Sequence, residues 1–286
     1  MQLFFYLPYT MEQIIKFPRF ADFMDENREL MESNPLQYFF LAEMINKSVK
    51  KELQLRKLFN VTNGSNRIIV LFSTELCLIY DDQYDETLIP LLSKELEFEK
   101  FNRYQFAGSK RTIDKLFELN NASYEMEKHR VTYKCSAVSD PFLPAPGRMQ
   151  MGDIARLDEL AELSRGFAKD YYGESKSYAQ TTGLIVSGIE EDSIYQWVDN
   201  GVVCAMAQSM YGEHDFPVIG HFYTHPSHRN KGYGTSLVHG LTKGLLGAGH
   251  ECVMLQTNAL TPQSNRVFEK IGYQNVGEYL LAYKNK

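Results

Sequence analysis

Hydrophobic positions in the first half of this chain recur in two periods. Leu41, Met44, Ile45 and Val49 fall three and four apart, and the spacing predicts a long helix from about Pro35 to Leu58. Arg67–Phe72 and Leu76–Tyr80 are apolar runs of strand length and read as a hairpin. Leu88, Leu91, Leu92 and Leu96 then mark a helix, Tyr104–Ala107 a short strand, and Ser109 the cap of a helix bearing Ile113, Leu116 and Phe117. The pattern breaks at Ser136–Gly147, where Pro141, Pro144 and Pro146 can sustain neither a helix nor a central strand.

Beyond that break the alternation resumes. Met149–Met151 reads as a strand, and Asp153 as the cap of a helix carrying Leu157, Leu160, Ala161 and Phe167. A second helical region covers about Tyr178 to Gly188. Ser193–Trp197 and Val202–Met210 flank Asp199-Asn200-Gly201, a strong hairpin signal. Val218–Thr224 is a strand, Leu237, Leu241, Leu245 and Ala248 stripe a helix, and Cys252–Leu255 is apolar on both faces, as a central strand should be. A last helix from about Pro262 to Ile271 and strands near Gln274 and Leu280 close the chain. The expected organisation is an α/β fold with a mixed sheet in two parts: an N-terminal α/β companion domain over 1–135, a linker over 136–147 and a second domain over 148–286.

Composition narrows the function classes. With 286 residues, 44% hydrophobic and 23% charged, the chain is an ordinary globular protein above single-domain size. A net charge of −6 argues against a nucleic-acid partner, and suits a cationic or amine substrate as well as it suits solubility. Cys77, Cys135, Cys204 and Cys252 form no CxxC pair and read as buried thiols in a reducing cytosol. The opening Met1-Gln-Leu-Phe-Phe-Tyr-Leu-Pro8 lacks a basic region and a cleavage site, so no signal peptide is expected. No segment approaches the ~20 apolar residues of a membrane span. A cytoplasmic protein is expected.

The candidate chemistry lies in Val218–Thr235, V-I-G-H-F-Y-T-H-P-S-H-R-N-K-G-Y-G-T. A strand ends in a Pro, a basic turn follows, and Gly232 and Gly234 open a helix. Glycines there let the amides from Asn230 to Thr235 converge on an anion at the positive end of the helix, with Arg229 and Lys231 adding donors. Neither common Gly-rich phosphate loop fits: Leu237 stands where the Rossmann fingerprint needs its third Gly, and no Gly-Lys-Ser/Thr occurs.

Arg229-Asn230-Lys231-Gly232-Tyr233-Gly234 resembles the Arg/Gln-x-x-Gly-x-Gly/Ala signature of the Gcn5-related N-acetyltransferase (GNAT) superfamily. The Tyr223–Pro226 lead-in and the Thr261–Tyr273 stretch resemble that family's flanking strand and last helix, so the resemblance covers about the last half of the chain. It implies an acetyl-CoA-dependent N-acetyltransferase acting on the amine of a small molecule or peptide. Phe222, Tyr223 and Thr224 would hold the pantetheine arm with their backbone, the 229–235 turn the diphosphate, and Ser264 and Asn265 the cofactor arm. The strand amides would polarise the thioester carbonyl, and no metal is required. The N-terminal part resembles a degenerate companion GNAT domain in layout only.

The sequence departs from the family at its proton-transfer positions. Val218 and Gly220 stand where Glu or His is frequent, which leaves His221, Glu213, Asp215 or a water chain to take the amine's proton. Phe268 stands where a Tyr often protonates the leaving thiolate. A protein that binds acyl-CoA without efficient turnover is therefore the competing expectation. His221, His225 and His228 have a spacing that invites a metal, but Pro226 prevents one helix from presenting them together.

Overall fold

The computed structural model describes residues 12–33, 38–50, 54–101, 103–211 and 216–285. The chain forms two compact units, Met1–Arg130 with Gly277–Lys286, and Val131–Val276.

The first unit contains β1 (Gln13–Lys16), α1 (Phe20–Ser33), α2 (Phe39–Val49), β2 (Leu55–Thr62), β3 (Arg67–Ser73), β4 (Leu76–Asp81), α3 (Ile89–Leu96), β5 (Gln105–Ser109) and α4 (Lys110–Leu119). Its sheet runs β1-β2-β3-β4-β5, antiparallel except for the parallel pair β4–β5. Both faces are covered. Along β3, Ile68, Val70 and Phe72 share a core with Leu92 of α3 and Leu116 of α4, whereas Ile69 and Leu71 share another with Phe23 of α1 and Leu41 of α2. This is a mixed sheet between two helical layers.

Two sequence expectations are corrected here. The helix expected over Pro35–Leu58 ends at Val49, and Leu55–Thr62 is a strand. Pairing with β1 and β3 overrides helical propensity there, because alternation sends Phe59 and Val61 into one core and Leu58 into the other. Ser109 stands at the start of α4 but does not cap it; its Oγ accepts the Asp81 amide at 3.2 Å.

The second unit begins within β6 (Tyr124–Cys135) and continues through β7 (Arg148–Met151), α5 (Leu157–Phe167), α6 (Tyr178–Glu190), β8 (Ile194–Asp199), β9 (Val202–Tyr211), β10 (Pro217–Thr224), α7 (Tyr233–Gly247), β11 (Val253–Asn258) and α8 (Pro262–Ile271). The order is β6-β11-β10-β9-β8-β7, with β10–β11 parallel and the pairs from β10 to β7 antiparallel. Asn200 and Gly201 take positive φ (48° and 79°), the conformation that a two-residue hairpin turn demands between β8 and β9. Asp153 caps a short 3₁₀ turn, Ile154–Arg156, that leads into α5. Leu237, Leu241 and Leu245 of α7 meet Val131, Tyr133 and Cys135 of β6 in one core, and Leu160, Leu163 and Ile185 of α5 and α6 build the other.

The unit boundaries therefore differ from 135 and 148. The core of the second unit needs Val131–Cys135, and the proline-rich stretch is fastened to that unit. The Ala145 amide donates to Ser236 Oγ at 2.8 Å, Trp197 Nε1 to the Pro146 carbonyl at 2.8 Å, and the Ser139 amide to the Ile271 carbonyl at 2.6 Å. Phe142 stacks on His239 with centroids 3.9 Å apart. At the other end a single strand, β12 (Gln274–Lys284), replaces the two expected, and its Tyr279–Tyr283 portion pairs antiparallel with β5 in the first unit's sheet.

Candidate active site

The parallel strands β10 and β11 pair only at Val218↔Met254 and Ile219↔Leu255. On its other side β10 keeps pairing with β9 to Thr224, through a bulge between Gly220 and Tyr223. A cleft of about 750 Å³ opens beyond Ile219. Phe222, Tyr223 and Thr224 of β10 line one side, Thr257 and Asn258 of β11 and Ser264 of α8 the other.

The end of the cleft is the turn into α7. Asn230 and Gly232 have φ of 63° and 84°, and Gly232 is the residue on which the helix starts. No side chain caps that start, so the first-turn amides of Tyr233, Gly234 and Thr235 are available to an anion. Gly234 serves a purpose the sequence did not reveal. A Cβ there would stand 2.4 Å from Thr224 Oγ1 and 2.8 Å from the Phe222 ring, so the glycine lets the helix lie against the exit of β10. The buried Tyr233 phenol donates to Asp199 at 2.7 Å, which ties the turn to the β8–β9 hairpin.

A third wall comes from the end of α5, which continues as one π turn, Ala168–Tyr172. Phe167, Asp170 and Tyr171, at helical spacing, face the cleft. Phe167 and Tyr171 stack at 5.1 Å. Asp170 Oδ2 accepts from the Tyr223 phenol and from Arg229, both at 2.8 Å. The Arg229 bond, with Tyr223's, holds the Asp170 carboxyl below the usual carboxylate range, and burial, with the Asp170 hydrogen bond, pushes Tyr223 up to about 12.

Residues 200–281 match the family model described as FR47-like protein. Among solved structures, a GNAT-family acetyltransferase from Colwellia psychrerythraea aligns with a TM-score of 0.54 at 14% identity, over 96% of this chain and all of its own. A GCN5-related N-acetyltransferase from Sphaerobacter thermophilus aligns at 0.50 and 12% identity over 79% of each chain. A Drosophila protein aligns at 0.51 and 11% over 95% of this chain and 98% of its own. No curated protein matches in sequence. The chain carries a C-terminal GNAT domain. The likeness at these identities is one of fold.

Within the GNAT domain, the residues expected at the site separate into groups. Phe222, Tyr223, Thr224, Arg229, Asn230, Gly232, Tyr233, Gly234, Thr235 and Ser264 all line the cleft. Lys231 is exposed and lies outside that lining. Asn265 also lies outside it: its Nδ2 donates to the Ala259 carbonyl at 3.4 Å, and its buried Oδ1 has no partner among the described residues. Arg229 lines the cleft with its guanidinium already engaged, by Asp170 and by the Thr224 carbonyl at 3.2 Å.

The bulge does turn His221 out of strand register, at φ 48°, but toward α5. Its Nε2 shares a 3.0 Å hydrogen bond with Ser164 Oγ, and its ring lies 4.8 Å from that of Phe167. Burial pushes its pKa down to about 4, so the imidazole is neutral near pH 7 and a weak base. Glu213 and Asp215 lie outside the described residues. Phe268 is 4% exposed and packs with Tyr133, Phe222 and Tyr273. His225 and His228 lie in the turn, their rings 5.5 Å apart. Tyr171 lines the cleft, whereas Tyr178 is exposed and donates to Asp158.

Sequence reading missed Asp170. The Phe167-x-x-Asp170-Tyr171 spacing carried the signal, but nothing in the sequence placed that face opposite Tyr223.

Proposed function

We propose that this chain is an acetyl-CoA-dependent N-acetyltransferase that acetylates a primary amine by direct attack on the thioester. One observation carries the reading: β10 parts from β11 after Ile219 and runs into an uncapped helix start on a positive-φ glycine. Bound acetyl-CoA supplies an activated acetyl group. The uncapped amides of Tyr233, Gly234 and Thr235 hold its diphosphate, and the backbone of Phe222 to Thr224 holds its arm and polarises the carbonyl. The amine nitrogen bonds to the carbonyl carbon as the carbon–sulfur bond breaks. The amine proton leaves to water and the thiolate is protonated from water, because His221 is a weak base and Phe268 offers no donor.

The acceptor is a small-molecule or peptide amine reaching the wall of Phe167 and Tyr171. No helix among the described residues is long and apolar enough to cross a membrane. Four buried, free cysteines fit a reducing compartment, and we place the protein in the cytoplasm.

The second reading, an acyl-CoA-binding protein without efficient turnover, rests on Val218, Gly220 and Phe268, none of which can move a proton. Calorimetry with CoA and continuous CoA release from acetyl-CoA across an amine panel separate the two. Binding with steady release supports the enzyme. Binding without release supports the second reading, and no binding overturns both.

A further inference from the structure

The acceptor wall and the cofactor turn meet at one atom. Asp170 Oδ2 takes the Tyr223 phenol at 2.8 Å and Arg229 at 2.8 Å. Tyr223 belongs to the cleft-lining end of β10, and Arg229 begins the turn that ends at the α7 start. Arg229 also bonds the Thr224 carbonyl at 3.2 Å and lies over the Tyr223 ring, its guanidinium carbon 5.1 Å from the centroid. The segment from Tyr223 to Arg229 is thus gripped at both ends by one carboxylate. The grip is built into the backbone around it. Gly166 has no Cβ, and one there would come within 2.5 Å of the Tyr223 ring, so the glycine lets the phenol lie against α5. The π turn then carries Asp170 and Tyr171 together to the cleft, and Gly173, in the left-handed region at φ 69°, ends it.

We propose that Asp170 is a positioning residue: it holds Tyr223 and Arg229, and so fixes the exit of β10 at the spacing the acyl-CoA arm and diphosphate require. This rests on the acyl-CoA reading above. Asp170 is not a catalytic group in this scheme, because its bonds go to the protein. Its negative charge beside a diphosphate site is unfavourable for an anion, so what it contributes must be geometry. Asparagine in its place keeps an acceptor oxygen and removes the charge, whereas alanine removes both. The two substitutions therefore separate position from charge.

The test is calorimetric titration of CoA into full-length wild type, Asp170→Asn, Asp170→Ala, Tyr223→Phe and the Asp170→Ala/Tyr223→Phe double variant, each checked by thermal denaturation. Asp170→Ala should weaken CoA binding about tenfold, as expected for losing a charge-assisted bond to a half-exposed arginine together with the phenol's acceptor. Asp170→Asn should stay within about threefold of wild type. The double variant should bind no worse than Asp170→Ala alone, since Tyr223 acts through the carboxylate and the two losses overlap. Should Asp170→Ala not fold, Tyr223→Phe carries the test with an expected loss of about threefold, and no loss overturns the proposal. Unchanged or tighter binding by Asp170→Ala overturns it, as does Asp170→Asn as weak as alanine, or fully additive losses. If wild type binds CoA while these outcomes fail, only this inference falls. If wild type binds no CoA, the acyl-CoA reading falls with it.

Discussion

Each unit contains a strand, a helix and a parallel strand in succession: β4, α3 and β5 in the first, β10, α7 and β11 in the second. In the second unit the parallel strands pair at two positions and part; in the first they pair at four, from Leu76↔Gln105 to Ile79↔Gly108. Gly108, at φ 129°, lets the backbones close, and a Cβ there would stand 1.9 Å from the Ile79 carbonyl oxygen. The Asp81 amide then goes to Ser109 Oγ at 3.2 Å, and Thr112 Oγ1 donates to the Asp81 carboxylate at 3.0 Å. The helix entries differ likewise. Ahead of α3 the 3₁₀ turn Glu86–Leu88 is capped by Asp85, which accepts from Asn66, from the Thr87 hydroxyl and amide and from Asn63, bonds that hold its pKa to about 2. In the first unit a carboxylate and a hydroxyl of the chain take up backbone amides ahead of the helix, whereas no side chain caps the α7 start. A glycine can thus close a strand pair or open a helix start. The chain uses both.

The comparison breaks most severely if the second unit is cut in the wrong place. A fragment starting at Arg148 lacks Val131, Tyr133 and Cys135, all at most 5% exposed. Loss of three such core residues costs several kcal/mol each and exceeds the stability of most domains. That fragment should show no cooperative thermal unfolding, whereas one spanning 131–276 should unfold cooperatively and bind CoA. A folded fragment from Arg148 would return the boundary to the proline-rich stretch.

A smaller effect separates the two glycines. Gly108→Ala meets backbone at a strained φ and should cost roughly 3 kcal/mol or more in chemical denaturation. Gly234→Ala meets a hydroxyl and a ring edge, which can shift, so about 1–2 kcal/mol is expected. The shift moves Thr224 and Phe222, and CoA affinity in calorimetry should fall about tenfold or more. Gly234→Asp adds negative charge and should abolish binding with the fold retained. Equal stability losses without a binding defect at position 234 would remove the distinction between closing and opening glycines.

What the sequence exposed was what local chemistry determines. The Asp199–Gly201 turn, the Gly232 helix start and the apolar stripe of α7 each follow from neighbouring residues. What it hid depended on distant partners. Leu55–Thr62 reads as helix until β1 and β3 supply its pairing. Tyr124–Cys135 carries Glu125, Glu127, Lys128 and Arg130, so its apolar alternation is diluted, and β6 was not foreseen. The closing strands near Gln274 and Leu280 are one strand through Gly277, whose second half joins the other unit's sheet. At the site, the cradle was legible from spacing, but Asp170 was not, because α5 and the bulge on β10 meet only through tertiary packing.

The smallest effect concerns Phe268, whose position in the GNAT pattern often carries a phenol. In the first unit Phe117 is a buried aromatic on α4, the helix that follows β5 as α8 follows β11. Both are core aromatics, 2% and 4% exposed, Phe117 against Phe98, Phe106 and Tyr124, and Phe268 against Phe222 and Tyr273. A hydroxyl added at either place enters apolar surroundings, at about 1–3 kcal/mol if it finds no partner. Phe268→Tyr and Phe117→Tyr should therefore lower stability by similar amounts. If the chain turns over as proposed, turnover by the folded Phe268→Tyr variant should stay within about twofold of wild type, because Phe268 does not line the cleft. A general acid placed at the departing sulfur would raise the rate by up to ~10²–10⁴-fold. A rise of even tenfold with stability intact would mean that α8 presents this side chain to the reaction, and that the two helices have diverged in function as the two strand pairs have.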